Sequence, residues 1–410
     1  MLSQLAHEEK ILVLEPDAEG HAQEWLRYLI DFVSAGDRHR MEIVGPTALC
    51  DALRPALVNG AHRRIVLSPL SPAEHRMCTH RKLAVSGFAR WWVMRRYLKR
   101  SGAHTGFFLS IDHLSLPLAF GLGVGRARMS GILFRPSVHY GVLGSYNPTR
   151  GEWLRDLRKA LLYRLMLRNP ALHQVLSLDP YFPGYAMSHY GRGEKVRVLP
   201  DPVHAVSDPA GTVDRFAGYA TGGRVGLLLF GYLTRRKGPV ELLEALRRLR
   251  PQTAARVAVM LAGRVDPEIR AELQTRRHLL AQTRPELWLQ IADRRLDSAE
   301  IDSLIDRSSV VLAPYQRFVG SSGVLLWAAR AGRPVLTQDF GLLGRLTRDY
   351  GLGLATDSSD PGCLAFAIER IVEGGAQALF DPAGAQRFIA ARTPAQFAAM
   401  VMGGEPIAST

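Results

Sequence analysis

Short apolar runs recur along the chain, each followed by a loop carrying glycine or proline and then by a stretch with helical spacing. Residues 11–14, 41–45, 64–68, 105–111, 129–134, 173–178 and 195–199 read as buried strands in the first half. Residues 224–230, 256–262, 287–291, 310–313 and 335–337 repeat the pattern in the second. Helices are expected over 22–34, 47–57 (interrupted by Pro55), 81–100, 151–168, 239–249, 324–331, 362–372 and 385–402. Asp297-Ser298-Ala299-Glu300 has the form of a capping box that starts one more. In 151–168 the apolar residues Trp153, Leu154, Leu157, Leu161, Leu162 and Leu165 recur at helical spacing, the pattern of a helix packed on a core. Strand, loop and helix in alternation predict doubly wound α/β architecture. The stretch 204–222, rich in Gly, Ala, Asp and Pro, divides the pattern into two Rossmann-like domains, 1–205 and 206–385.

Composition narrows the picture. A chain of 410 residues with 47% hydrophobic content can fill two cores. Three scattered cysteines, Cys50, Cys78 and Cys363, suit a reducing cytoplasm and offer neither a disulfide framework nor a zinc motif. The residues near the start do not form a secretory signal. The most apolar long stretch, 107–124, is broken by Asp112, His113 and Pro117 and is not expected to span a bilayer. The net charge is +14. Residues 1–205 hold 27 Lys+Arg against 17 Asp+Glu, and the remainder 25 against 21, so the excess sits in the first half. Anionic partners follow from such a surface, although arginine-rich usage alone would also give it. Residues 81–100 concentrate seven cations without an acid and interleave Phe88, Trp91 and Trp92. That helix reads either as a membrane-surface or acidic-acceptor element or as a core helix with solvated arginines.

One stretch carries chemistry. The strand at 310–313 ends at Pro314, and Gly320-Ser321-Ser322-Gly323 opens a helix at Val324. Free N–H groups and hydroxyls in such a turn suit an anion, while an ordinary serine N-cap has the same form. Gly231-Tyr232-Leu233-Thr234-Arg235-Arg236-Lys237-Gly238 places three cations in a glycine-bounded loop, which suits phosphate on electrostatic grounds.

Together these segments resemble the retaining GT-B glycosyltransferases of family 4. Ala329-Arg330-Ala331-Gly332-Arg333-Pro334-Val335-Leu336 is similar to the tail of that family's donor-binding motif, and Lys237-Gly238 to its phosphate-clamping loop. The resemblance implies a GT-B fold, two Rossmann-like domains facing a central cleft. The first would bind the acceptor, the second the nucleotide sugar, with the last helix, 386–410, crossing back to the first. It implies transfer from a UDP- or GDP-sugar to a glycan or lipid-linked acceptor, with retention, no metal and no cofactor, in surface polysaccharide synthesis. It further implies Lys237, His139 and Asp112 as catalytic residues. Donor contacts would come from Gly20, Arg135, Arg235, Arg236, Gly238, Gly263, Ser321, Ser322, Gly323 and Val324, with His113 as the alternative to His139. A cytoplasmic protein at the inner face of the membrane, touching it through 81–100, is the matching location. No nucleic-acid motif is present.

Two departures keep a second reading open. The family's paired acids fall at Val319 and Trp327 here, and its loop arginine at Tyr232. A catalytically degenerate relative, acting as partner of an active transferase, would show such losses.

Overall fold

In a computed structural model the described residues are 9–18, 22–57, 63–144, 148–203, 216 and 218–403. The chain divides into two compact units. Met1–His139, Pro148–Pro202 and Arg392–Thr410 form one, Tyr140–Asn147 and Val203–Ala391 the other.

The first unit is built on β1 (Glu9–Leu14), β2 (His39–Gly45), β3 (Ile65–Pro69), β4 (Thr105–Phe108), β5 (Arg128–Leu133), β6 (Leu172–Ser177) and β7 (Val196–Val198). All pair in parallel in the order β3-β2-β1-β4-β5-β6-β7. Its helices are α1 (Ala22–Ala35), α2 (Thr47–Leu53), α3 (Pro72–Cys78), α4 (Leu83–Ser101), α5 (Ser115–Ala119), α6 (Arg150–Arg168) and α7 (Phe182–His189). Successive side chains of a strand point to opposite faces, so one strand serves two cores. Leu12 and Leu14 pack with Val93, Met94 and Leu98 of α4 and with Tyr163, Met166 and Leu167 of α6. Ile11 and Val13 pack with Trp25, Leu26 and Leu29 of α1.

The second unit contains β8 (Val225–Phe230), β9 (Val257–Ala262), β10 (Trp288–Ala292), β11 (Val310–Ala313), β12 (Val335–Gln338) and β13 (Gly353–Thr356). Their order is β10-β9-β8-β11-β12-β13, again wholly parallel. The helices are α8 (Pro239–Arg248), α9 (Pro251–Ala255), α10 (Pro267–Thr283), α11 (Ser298–Arg307), α12 (Val324–Arg330), α13 (Gly341–Asp349), α14 (Pro361–Gly374) and α15 (Pro382–Ala390). The capping box expected at α11 is present, with Asp297 and Glu300 each accepting the other's backbone N–H. Leu227, Leu229, Val259 and Leu261 form the core beneath α8, α10 and α14.

Three expectations need correction. Residues 385–402 are not one helix. Pro394, which has no N–H to continue the ladder, breaks them into α15 and α16 (Pro394–Val401), and Thr393 caps the new start. The final helix belongs to the first unit, where Phe397 lies 5.0 Å from Trp25 of α1. The expected strand 105–111 ends at Phe108, because Ser110 and Ile111 turn the chain into a short 3-10 segment, Asp112–Leu114. Most consequentially, the apolar residues of α6 are not core. Trp153, Leu154, Leu157, Leu161 and Leu165 are all exposed, and the helix packs inward through Tyr163, Met166 and Leu167 instead. Among the described residues, no helix is long and apolar enough to cross a membrane.

Candidate functional site

In each parallel sheet the strand order reverses beside its first strand: between β1 and β4, and between β8 and β11. Loops leaving the carboxyl ends of strands diverge there, which opens room for a ligand. Both units carry their polar residues at that place.

In the second unit the loop after β8 turns through the 3-10 segment Arg235–Lys237 and delivers Lys237 beside the loop after β11. Lys237 Nζ donates to the Phe230 carbonyl at 3.2 Å and to the Tyr315 hydroxyl at 2.7 Å. It also lies 4.7 Å from the centre of the Tyr315 ring. The Tyr315 hydroxyl in turn meets Ser322 Oγ at 3.1 Å. Ser322 Oγ also accepts the Val324 N–H at 3.4 Å, at the start of α12. A tyrosine oxygen that accepts from an ammonium has its own proton to give, and Ser322 is placed to receive it. The serine then holds two incoming bonds and retains its O–H as a donor, while the ammonium retains one N–H. The result is a fixed cation joined to a hydroxyl that can still donate, an arrangement fitted to oxygens of a phosphate.

Two glycines make this geometry possible. Gly238 has φ +75, and a Cβ there would lie 2.1 Å from the Pro314 carbonyl oxygen. Gly263, φ +143, approaches so closely that a Cβ would lie 1.9 Å from the Gly231 oxygen. Gly323 is the N-cap of α12. Ser321 is half-buried one residue before Ser322. Arg235 turns away to an exposed ion pair with Glu272 of α10. Arg236 sits 4.5 Å from the Phe318 ring, within the loop after β11. At Tyr232, where the resembled loop has arginine, the ring is exposed and the Arg264 guanidinium lies 5.0 Å over it. A cation therefore stands next to that position, although it comes from the loop after β9. Val319 and Trp327 contribute no carboxylate. Trp327 is buried edge-on to Phe230 at 6.2 Å, with Arg330 over its other side at 4.7 Å, so it anchors α12 by packing.

In the first unit a cavity of about 370 Å³ opens at the carboxyl ends of β1, β4 and β5. Glu15, Asp17, Asp112, His113 and Arg135 supply its polar wall, and Trp25, Leu109 and Phe134 its apolar one. Asp112 is held by the backbone: its carboxylate accepts the Phe134 N–H at 3.0 Å and the Arg135 N–H at 3.4 Å. Glu15 is buried at the end of β1 and accepts the Asp17 N–H at 2.7 Å. Burial pushes its carboxyl up to about 7, against the opposing pull of that N–H. His113 is held below the usual imidazole range, first by burial and then by the Arg90 charge. Its Nδ1 lies 3.3 Å from Ser86 Oγ. Arg90, 2% exposed, donates Nε to the Cys78 carbonyl at 3.0 Å and reaches Asp17 at 3.3 Å.

The two histidines thus have different surroundings. His139 is buried, its Nε2 2.8 Å from Asp179 Oδ2, with the rings of Tyr185 and Phe182 at 5.3 and 5.5 Å. It is not among the residues lining the cavity, whereas His113 is. Gly20 lies outside the described residues. Sequence reading missed Tyr315, Glu15 and Arg90. Glu15 follows directly on the end of β1 and Tyr315 comes two residues after the end of β11, a signal that could have singled them out. Arg90 had none, because nothing in a row of basic residues marks the one that is buried.

Residues 224–374 match the family model of glycosyl transferases group 1. No curated protein matches the chain in sequence. Among solved structures, HepE of Anabaena in complex with UDP and glucose is 15% identical, with TM-score 0.63 over 96% of this chain and 98% of that one. Sucrose-phosphate synthase of Thermosynechococcus elongatus is 16% identical, with TM-score 0.64 over 96% and 97%. WaaG, a glycosyltransferase involved in lipopolysaccharide biosynthesis, is 15% identical, with TM-score 0.62 over 96% and 100%. At these identities the likeness shows the fold, which is GT-B. The family match makes the second unit a glycosyl transferases group 1 domain and the chain a glycosyltransferase.

Proposed function

We propose that the protein transfers a sugar from a nucleotide-sugar donor to a hydroxyl of a glycan or lipid-linked acceptor, with retention at the anomeric carbon and without a metal. The observation that carries this reading is the hydrogen-bonded line Lys237–Tyr315–Ser322 at the switch point of the second sheet. Breaking the bond from the anomeric carbon to the diphosphate leaves added negative charge on the phosphate oxygens. Fixed N–H and O–H donors lower the barrier when they are aimed there beforehand. Lys237 and Ser322 supply such donors, and Gly238, Gly263, Ser321, Gly323 and Val324 shape the loops that carry them. HepE is described in complex with UDP and with UDP-glucose, which favours a UDP-sugar.

The cavity in the first unit is the place for the acceptor. Asp112, His113, Glu15 and Arg135 offer the mixed donors and acceptors that sugar hydroxyls need, and Trp25 an apolar floor. In this reading the attacking hydroxyl bonds to the anomeric carbon on the face the diphosphate leaves as the bond to the diphosphate breaks, and its proton passes to an oxygen of the departing diphosphate. A role in surface polysaccharide synthesis at the inner face of the membrane draws on the likeness to WaaG.

Val319 and Trp327 support a second reading, a degenerate transferase that binds donor without turning it over. Thermal unfolding of the purified chain with UDP-, GDP-, ADP- and dTDP-sugars tests the first step, because a ligand bound to the native state raises its melting temperature. A rise with one nucleotide sugar, and release of its diphosphonucleotide on adding acceptor, supports transfer. A rise with no turnover against a broad acceptor panel supports the degenerate reading, and no rise with any of the four sinks both.

A further inference from the structure

Helix α6 turns its two faces to different surroundings. Tyr163, Met166 and Leu167 are buried in the core. The same inner side is pinned by Ser137, whose Oγ donates to Asp156 at 2.7 Å and accepts from Lys159 at 3.1 Å. The outer side carries Trp153, Leu154, Leu157 and Leu161, each 55–58% exposed, and Leu165 at 37%. Trp153, Leu157, Leu161 and Leu165 follow one another at four-residue steps, so they form one continuous apolar stripe along the helix.

The charge around the stripe is of one sign. Arg150, Arg155, Arg158, Arg164 and Arg168 are all exposed on α6. Among the described residues only Arg155 has a carboxylate within ion-pair distance, Asp156 at 3.8 Å. Glu152 is turned back into the capping box, where it accepts from the Thr149 N–H and hydroxyl at 2.8 and 2.9 Å. The helix is 19 residues long, about 28 Å.

The geometry points to this outer face of α6 as a docking surface for an anionic lipid bilayer, with the helix lying flat in the headgroup layer. An anionic bilayer offers apolar depth for five large side chains and phosphate charge for five arginines over the full length of the helix. A second copy of the chain fits less well, since a two-fold contact through this face would set two arginine rows against each other. Helix α4 also exposes Phe88 and Trp92, but Arg90, Val93, Met94, Tyr97 and Leu98 commit its other side to the core, and its exposed apolar residues are fewer. The inference concerns a surface and stands independently of donor chemistry.

The test is co-sedimentation of the full chain with vesicles of equal parts phosphatidylglycerol and phosphatidylcholine, and with phosphatidylcholine alone. The chain should bind the first, bind the second weakly, and release from the first as salt is raised. The double variant Leu157→Glu with Leu161→Glu should weaken binding roughly tenfold or more, with an unchanged melting temperature because both side chains already face water. Arg158→Glu with Arg164→Glu should do the same. The paired change Phe88→Ala with Trp92→Ala on α4 should leave binding in place. Wild-type binding by the α6 variants, loss confined to the α4 variant, or no binding to either vesicle would overturn the assignment. So would a dimer in light scattering that the Leu157/Leu161 variant dissolves without any lipid binding.

Discussion

Lys237 and Ser322, far apart in the chain, hydrogen-bond the same hydroxyl. Tyr315 OH receives the Lys237 ammonium at 2.7 Å and meets Ser322 Oγ at 3.1 Å. Parallel pairing of β8 with β11 puts the two loops side by side, and a tyrosine two residues beyond the end of β11 spans the gap between them. The ammonium is thereby held at one orientation before any ligand arrives, which is what electrostatic stabilisation of a leaving diphosphate requires.

Tyr315→Phe should uncouple the pair while keeping the ring. Loss of one buried hydrogen-bonding group costs about 1 kcal/mol of stability. Affinity for a nucleoside diphosphate should fall by about tenfold through loss of preorganisation, read by calorimetric titration with UDP. Lys237→Ala should abolish the thermal shift given by the same ligand. A Lys237→Ala protein that still shifts fully would remove the lysine from the phosphate site.

The two histidines can be told apart by stability. His139→Ala leaves the Asp179 carboxylate buried without its partner, and the expected loss is about 3 kcal/mol or more, measured by denaturant unfolding. His113 faces the cavity, so His113→Ala should cost far less stability and instead reduce transfer or acceptor binding.

Glu15 sets a pH dependence. Its carboxyl is raised by burial to about 7, from an ordinary value of 4.5. The folded state therefore keeps a proton that the unfolded state has lost. This contribution to stability is fully present below pH 4.5, declines as pH rises toward 7, and is gone above it. A displacement of this size corresponds to about 3 kcal/mol. Glu15→Gln should flatten the stability profile between those limits and leave the variant more stable than the parent above pH 7, as followed by urea midpoints across pH.

Gly238→Ala tests the loop that carries Lys237. A left-handed backbone costs a side-chain residue about 1–2 kcal/mol, and the clash with the Pro314 oxygen adds to that. The variant should melt several degrees lower and lose nucleotide binding together, because the same shift displaces the lysine.

Trp327→Ala should cost about 3–5 kcal/mol, the usual range for emptying a buried aromatic site. It should do so whether or not donor is present. The tryptophan occupies a place the resembled family gives to an acid, and here it holds α12 against Phe230.

How far the sequence could be read depended on the kind of signal. Most strand positions were legible because a parallel strand is apolar on both faces and short, although β13 went unforeseen and β4 ends three residues before the expected bound. The loop of Lys237 and Gly238 and the turn at Ser322 were legible as candidate anion sites because each is written in successive residues. Tyr315 was not, since its importance lies in two partners from separate loops. The inner and outer faces of α6 were not legible either. It carries apolar residues on two sides, the Trp153–Leu165 stripe and the Tyr163, Met166 and Leu167 face, so spacing does not say which side meets the core.

The chain's local pattern by itself determined the α/β alternation, the division into two Rossmann-like units and the cationic loop, since each is written in neighbouring residues. Only the tertiary structure decided which arginine is buried, which histidine faces a cavity, which leucines meet water and which tyrosine links Lys237 to Ser322. Those are outcomes of strand order and packing, which bring distant residues together by free energy summed over a whole core, and no short stretch of sequence carries that sum.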